Sequence, residues 1–206
     1  MSTTPTPEKH REVLLHIAGV SILLAFCAHL GGEHLAAWYK QLTQQDFPNW
    51  LSWLIELASP IFIFGLLSHW FEHHMWKWGP MRSFANIKTP DISGEWKAEF
   101  RSSYDQYKTA YPGDVTISQS WSKVSVSLKA EKSHTNSEGA ALIVDGGEVW
   151  LVYEYLNEPW PAAVETMHAH RGTCRLAVKS SGIEGDYYTG RDRNTNGTLK
   201  FTRVGK

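Results

Sequence analysis

Val124-Ser125-Val126-Ser127-Leu128-Lys129 alternates apolar and polar side chains without a break. Strict period two marks a strand with one face buried and the other in water. Trp96, Ala98 and Phe100 show the same phase upstream, and Cys174, Leu176 and Val178 show it downstream. Extended outward from these three, the pattern predicts eight short strands over residues 94–101, 113–119, 122–129, 138–145, 148–156, 167–179, 182–191 and 198–204, with no helical period between them. Eight antiparallel strands joined in order favour a small up-and-down β-barrel, which removes exposed sheet edges by closing on itself; a two-sheet sandwich is the structural alternative.

The connections give such a barrel two different ends. Those near Ser120, across Asp145-Gly146-Gly147-Glu148 and at Ser180-Ser181 are tight. Those over residues 102–112, 130–137, 157–166 and 192–197 read as long, and in an up-and-down order all four fall at one end. Eight strands leave room for packed side chains or one small ligand, and the looped mouth is the natural place for it. The preceding segment joins at the tight end, so the mouth is expected to point away from the membrane.

Polar residues recur on the inward phase near that mouth. His168 and His170 share the phase of Cys174, and Arg191 continues that of Ile183, Gly185, Tyr187 and Thr189, whereas Arg193 lies past the strand. Tyr153, Tyr155 and Asn157 share a third phase. Each alone could be a loop support or a strand-end pair; together they make an aromatic wall with hydrogen-bonding tips and one guanidinium, suited to stacking a base and pairing with phosphate. His168-x-His170 also has the spacing of two zinc ligands on a strand, but no third ligand is evident, so no metal is expected. No nucleophile elbow, phosphate loop or carboxylate pair appears, so catalysis is not expected.

The rest of the chain is of another kind. Residues 13–30 contain no Asp, Glu, Lys or Arg, and residues 50–70 contain only Glu56. Both runs match the roughly 20 residues needed to cross a hydrocarbon core. A cleaved signal peptide is the alternative for the first run alone. Trp38, Trp50, Trp53, Trp70, Trp76 and Trp78, six of the ten Trp, lie beside or between the runs as an aromatic belt. Basic residues flank the pair at Lys9 and Arg11 before and Lys77, Arg82 and Lys88 after, with only Lys40 between, which places both termini in the cytoplasm. Ser59-Pro60 is a candidate kink, and Ala18, Gly19 and Gly65 offer small surfaces for helix contact. The predicted organisation is therefore residues 1–78 with two transmembrane helices at about 13–32 and 50–70, a linker at 79–91, and a β-barrel at 92–206. With 20 Lys and Arg against 21 Asp and Glu over 206 residues, no basic face for duplex nucleic acid is implied.

Gly94-x-Trp96, Ile117-x-Gln119-x-Trp121, Ser133 with Ser137, Trp150-x-x-Tyr153-x-Tyr155-x-Asn157-x-Pro159, His170-x-Gly172 and Gly185-x-Tyr187-Tyr188-x-x-Arg191 follow one another in this order. With the paired apolar runs, the series resembles the SMODS-associated two-transmembrane β-strand-rich effectors, the membrane effectors of the bacterial CBASS anti-phage system. The resemblance implies a two-pass inner-membrane receptor. Its barrel would bind a cyclic dinucleotide or related cyclic oligonucleotide made by a CD-NTase, and the protein would then oligomerise and disrupt the inner membrane. It implies no cofactor beyond that ligand. The pocket role falls on Tyr153, Tyr155, Asn157, His170 and Arg191, with Ser133 and Ser137 added by the resemblance. A membrane-anchored lipocalin-like carrier is the competing reading, and the inward His and Arg argue against its dry apolar lumen.

Overall fold

The computed structural model describes residues 7–49, 59–165, 167–190 and 193–205. These divide into two compact units, one from Pro7 to Met81 and one from Arg82 onward.

In the first unit, helix α1 runs unbroken over Pro7–Thr43, 37 residues, or about 55 Å. It continues through Gly31-Gly32, where the apolar run ends. Over His10–Thr43 it is long and apolar enough to cross a membrane, with a mean hydropathy of 2.2 in its best window. Among the described residues it is the one helix that is. The second run falls in part on residues 50–58, including Trp50, Trp53 and Glu56, which lie outside the described residues. Its described part is helix α2, Pro60–His73, 14 residues, shorter than a span requires.

Ser59-Pro60 is the start of α2 and not a kink within a helix. Ser59 is extended, its hydroxyl accepts from the Phe62 N–H at 3.3 Å, and Pro60 occupies the first turn, where its missing N–H costs nothing. Helices α1 and α2 pack together. The buried stripe of α1 is Val13, Ser21, Ala25 and Gly32, successive residues eight, four and seven apart and thus on one face. The Ser21 hydroxyl is satisfied by the Ile17 carbonyl at 2.6 Å. Gly19 and Gly65 have no neighbour within 4 Å of a Cβ position among the described residues, which leaves both free for contact with another helix. A short helix α3 follows at Gly79–Phe84.

The second unit is a closed eight-stranded antiparallel barrel. Its strands are β1 (Gly94–Ser102), β2 (Tyr111–Gln119), β3 (Val124–Ala130), β4 (Ser133–Asp145), β5 (Glu148–Pro159), β6 (His170–Lys179), β7 (Gly182–Thr189) and β8 (Asn196–Arg203). Each pairs with its neighbours in sequence, and β1 closes on β8 from Trp96↔Arg203 to Ser102↔Gly197, which rules out the sandwich. The core holds Trp96, Val115, Ile117, Val126, Leu142, Leu151, Leu176, Ile183, Leu199 and Phe201, all on the inward phases that period two identifies.

Two boundaries differ from the sequence reading in ways that matter. Strand β4 begins at Ser133 and not at 138, so the expected long loop over 130–137 reduces to Glu131-Lys132. A β-bulge between Ser137 and Gly139 shifts the inward phase, so that Ser133, Thr135 and Ser137 precede Ala140 and Leu142. Strand β7 ends at Thr189 and not at Arg191. Gly190 N–H donates to the Arg171 carbonyl at 2.6 Å, and the Arg193 and Asn194 N–H groups donate back to the Gly190 carbonyl.

The tight end is plugged. The Gln119 side chain accepts from Ile92 N–H at 2.8 Å and donates to the Pro90 carbonyl at 3.0 Å, pinning the incoming chain. The Trp96 indole N–H donates to the Ile92 carbonyl at 3.0 Å, and Ile92 itself is buried in the barrel core. The other end carries the connections over 103–110, 160–169 and 190–195.

Candidate ligand-binding pocket

Inside the barrel the inward layers change character toward the looped end. Leu151, Leu176, Ile183 and Phe201 fill the middle. Tyr153 and Cys174 lie opposite each other on β5 and β6, and both are buried. Burial pushes the Cys174 thiol up to about 12 and the Tyr153 phenol well above its usual value, so both stay neutral and unreactive as a floor.

Above that floor the inward residues are polar. Tyr155, Asn157 and Ser133 are each 6–7% exposed, with Thr135, Ser137, His170 and Tyr187 half-buried beside them. The Thr135 hydroxyl donates to the Asn157 side-chain carbonyl at 2.8 Å. The Asn157 amide N–H meets the Met167 sulfur at 3.6 Å, a weak acceptor. The Ser137 hydroxyl accepts from Val126 N–H at 2.9 Å, just past the last β3–β4 pair, Ser127↔Asn136. Tyr155 lies across β6 only because position 172 is glycine: a Cβ there would collide with the Tyr155 hydroxyl and the Tyr188 carbonyl. Phe100 and Tyr111 stack at 5.4 Å on the β1–β2 side.

His170 opens β6, and its Nδ1 is 3.0 Å from the His168 carbonyl. A carbonyl only accepts, so Nδ1 carries the proton and Nε2 is an acceptor in the neutral ring. Burial first, and the charge of Arg193 after it, lower the His170 pKa, which keeps the ring neutral at pH 7. His168 is exposed and precedes the strand, so the two histidines do not form the alternate-residue pair that zinc would use. Among the described residues no three His, Cys, Asp or Glu side chains cluster as metal ligands.

The structure thus brings Tyr155, Asn157, His170, Ser133 and Ser137 to one end of the barrel, with Tyr153 beneath them. Arg191 lies outside the described residues, and the phase argument for it stops at Thr189. Arg193 places a guanidinium at this end, over the Tyr104 ring. Its charge bears on Tyr155, Tyr187 and His170 alike. Thr135 was equally hidden from the sequence reading, although the alternation Ser133-x-Thr135-x-Ser137 carries it.

The family described as "Cap15, cyclic dinucleotide receptor domain" matches residues 87–203, more than half of the chain. The chain belongs to this family. Two curated relatives, both called CD-NTase-associated protein 15, are similar over most of their length. One, from Yersinia aleksiciae, is 29% identical over 170 residues, covering 75% of this chain and 80% of the relative. The other, from Staphylococcus schleiferi, is 29% identical over 154 residues, covering 75% and 82%.

The Cap15 match begins at Ile87, where the chain is already tied to the barrel unit: Arg82 donates to the Thr89 carbonyl at 2.8 Å, and Ile87 and Thr89 are buried. A concavity of about 620 Å³ also lies on the outer wall of this Cap15 barrel, lined by Glu99, Arg101, Trp150, Arg175, Glu184 and Lys200 among others. Its charges pair along and across the strands, as in Lys179–Glu184 at 2.6 Å and Arg101–Glu99 at 3.4 Å, so it reads as a solvated charge ladder and the inward mouth remains the candidate.

Proposed function

We propose that this protein is a membrane-anchored CBASS effector whose barrel takes a cyclic dinucleotide or a related cyclic oligonucleotide into its looped mouth. The observation that carries the reading is the polar layer above the Tyr153 floor. Tyr155 supplies a ring face, the Asn157 amide an under-used donor, and His170 Nε2 an acceptor. Ser133 and Ser137 complete that wall. Neutral groups suit base edges, while Arg193 supplies the cation that a phosphodiester needs. Arg191, two residues away, is a second candidate for that contact. The reading assigns the chain no catalytic step.

The helical unit supplies the anchor. Leu15, Ile22, Leu23 and Phe26 of α1 and Ile61, Leu66 and Trp70 of α2 are exposed, a surface suited to lipid. A two-pass hairpin with both termini in the cytoplasm fits the basic flanks. Ligand would then favour self-association of barrels, raising the local concentration of spans until the inner membrane fails.

Titration of the full chain in detergent micelles against cyclic dinucleotides and trinucleotides is expected to give saturable heats; silence across the panel ends the reading. In cells coexpressing an active CD-NTase, an impermeant dye should enter with the full chain and stay out when residues 1–78 are removed. Dye entry with the truncated form would remove the hairpin from the mechanism.

Arg193→Ala is expected to weaken binding about tenfold or more, since a charge-assisted hydrogen bond is worth roughly 1.5 to 3 kcal/mol. Arg193→Lys should recover only part of the loss, because an ammonium lacks the planar fork. Arg191→Ala measured alongside decides which guanidinium carries the phosphate, and equal small losses from both would move that contact elsewhere.

A further inference from the structure

The loop between β1 and β2 is built against its own backbone preferences. Ser103–Asp105 forms a single 3-10 turn. Gln106 and Tyr107 then take φ of 59° and 61°, two consecutive non-glycine residues in the left-handed region that L residues rarely adopt. Bonds on every side hold them there. Tyr107 N–H donates to the Ser102 carbonyl at 2.8 Å and its hydroxyl to Asn196 Oδ1 at 2.5 Å. Asn196 N–H donates to Ser103 Oγ at 3.1 Å, and Asp105 Oδ2 accepts from Thr109 N–H at 2.9 Å. The loop is therefore fastened across the mouth rim to the start of β8.

What this fastening presents is Tyr104. Its side chain is 75% exposed, and the Arg193 guanidinium lies 5.9 Å from its ring centroid. Packing does not explain an exposed tyrosine held by a strained loop that is hydrogen-bonded to the start of β8. A stacking platform does, because a ring backed by a guanidinium presents a flat face to another π-system. Arg193 also bears electrostatically on Tyr155, Tyr187 and His170, which links the rim to the interior.

The lumen is filled from the middle of the barrel downward, so a ligand enters only at the looped mouth. Below the polar layer Tyr153, Leu151, Leu176 and Phe201 close the lumen, and an eight-stranded barrel holds one small ligand at most. With one base against Asn157 and His170, the rim residue nearest at hand for the other is Tyr104, beside Arg193. We infer that Tyr104, backed by Arg193, is the shelf on which the second base stacks, and that this shelf distinguishes a cyclic dinucleotide from a mononucleotide. The inference rests on the proposed pocket.

The test uses the full chain in detergent and calorimetry with 3′,3′-cyclic di-AMP, di-GMP, di-UMP and their mixed forms, plus the matching 3′,5′-cyclic mononucleotides. For the dinucleotides that wild type binds, Tyr104→Ala should weaken affinity roughly 5- to 100-fold, while Tyr104→Phe and Tyr104→Trp stay within about twofold. Mononucleotide affinity, wherever it is measurable, should be the same in wild type and Tyr104→Ala. Thermal melts of the apo variants should match wild type, since the side chain is exposed. If Tyr104→Ala binds dinucleotides as wild type does while Asn157→Leu loses them, the shelf is overturned and the pocket stands. If Asn157→Leu also binds normally, the pocket reading fails and the shelf with it; if wild type binds no dinucleotide in the panel, the shelf is overturned.

Discussion

Asn157→Leu is expected to abolish ligand binding at concentrations that saturate the wild type. The side chain is 6% exposed, its carbonyl accepts from Thr135, and among the described residues its amide meets the Met167 sulfur, a weak acceptor. Leucine has nearly the same shape, so the pocket keeps its walls. It offers neither donor nor acceptor, which leaves the ligand's polar edge and the Thr135 hydroxyl facing an alkyl group. Each buried polar group left unmatched costs about 1 to 3 kcal/mol, so two of them lower affinity a hundredfold or more. The apo protein should melt close to wild type, because water can satisfy Thr135 in an open mouth. Calorimetric affinity within threefold of wild type would show that Asn157 does not face the ligand. In cells the same variant should keep an impermeant dye out.

The second large effect is on folding. Gly172→Val is expected to destabilise the barrel by about 3 kcal/mol or more, in the range reserved for buried steric conflicts. A Cβ at this position meets the Tyr155 hydroxyl from one side and the Tyr188 carbonyl from the other. The first neighbour is a side chain and can be removed; the second is a strand of the barrel and cannot. Tyr155→Ala in the same chain should therefore return only part of the lost stability, and the double-mutant cycle reads the coupling directly. Full rescue would mean that Tyr155 alone demands the glycine. A melt of Gly172→Val unchanged from wild type would mean that β6 and β7 can part without cost.

Most of the architecture could be read from local pattern. Val124, Val126 and Leu128 alternate because one face of β3 meets the core, and burial of that face needs no knowledge of the partner strand. The tight turn at Gly146 and Gly147, both with positive φ, was legible for the same reason: backbone geometry there depends on residue type alone. The rule failed where the inward face meets the mouth and not the core. Ser133, Thr135 and Ser137 point inward as polar residues and so read as loop, and the bulge before Gly139 breaks the count that would have tied them to Leu142.

Sequence by itself therefore determined an apolar N-terminal segment joined to an eight-stranded sheet with a polar end, because hydropathy and period two are properties of neighbouring residues. Only the tertiary structure decided which residues meet. It closed the sheet through β1 and β8, chose Ser21, Ala25 and Gly32 as the buried face of α1, and ended β7 at Thr189 through bonds to Arg171 and Thr195. It also set Arg193 over Tyr104, two residues from opposite ends of the barrel sequence. Those pairings are fixed by strand register and loop closure, which bring distant residues together and leave no mark on the residues beside them.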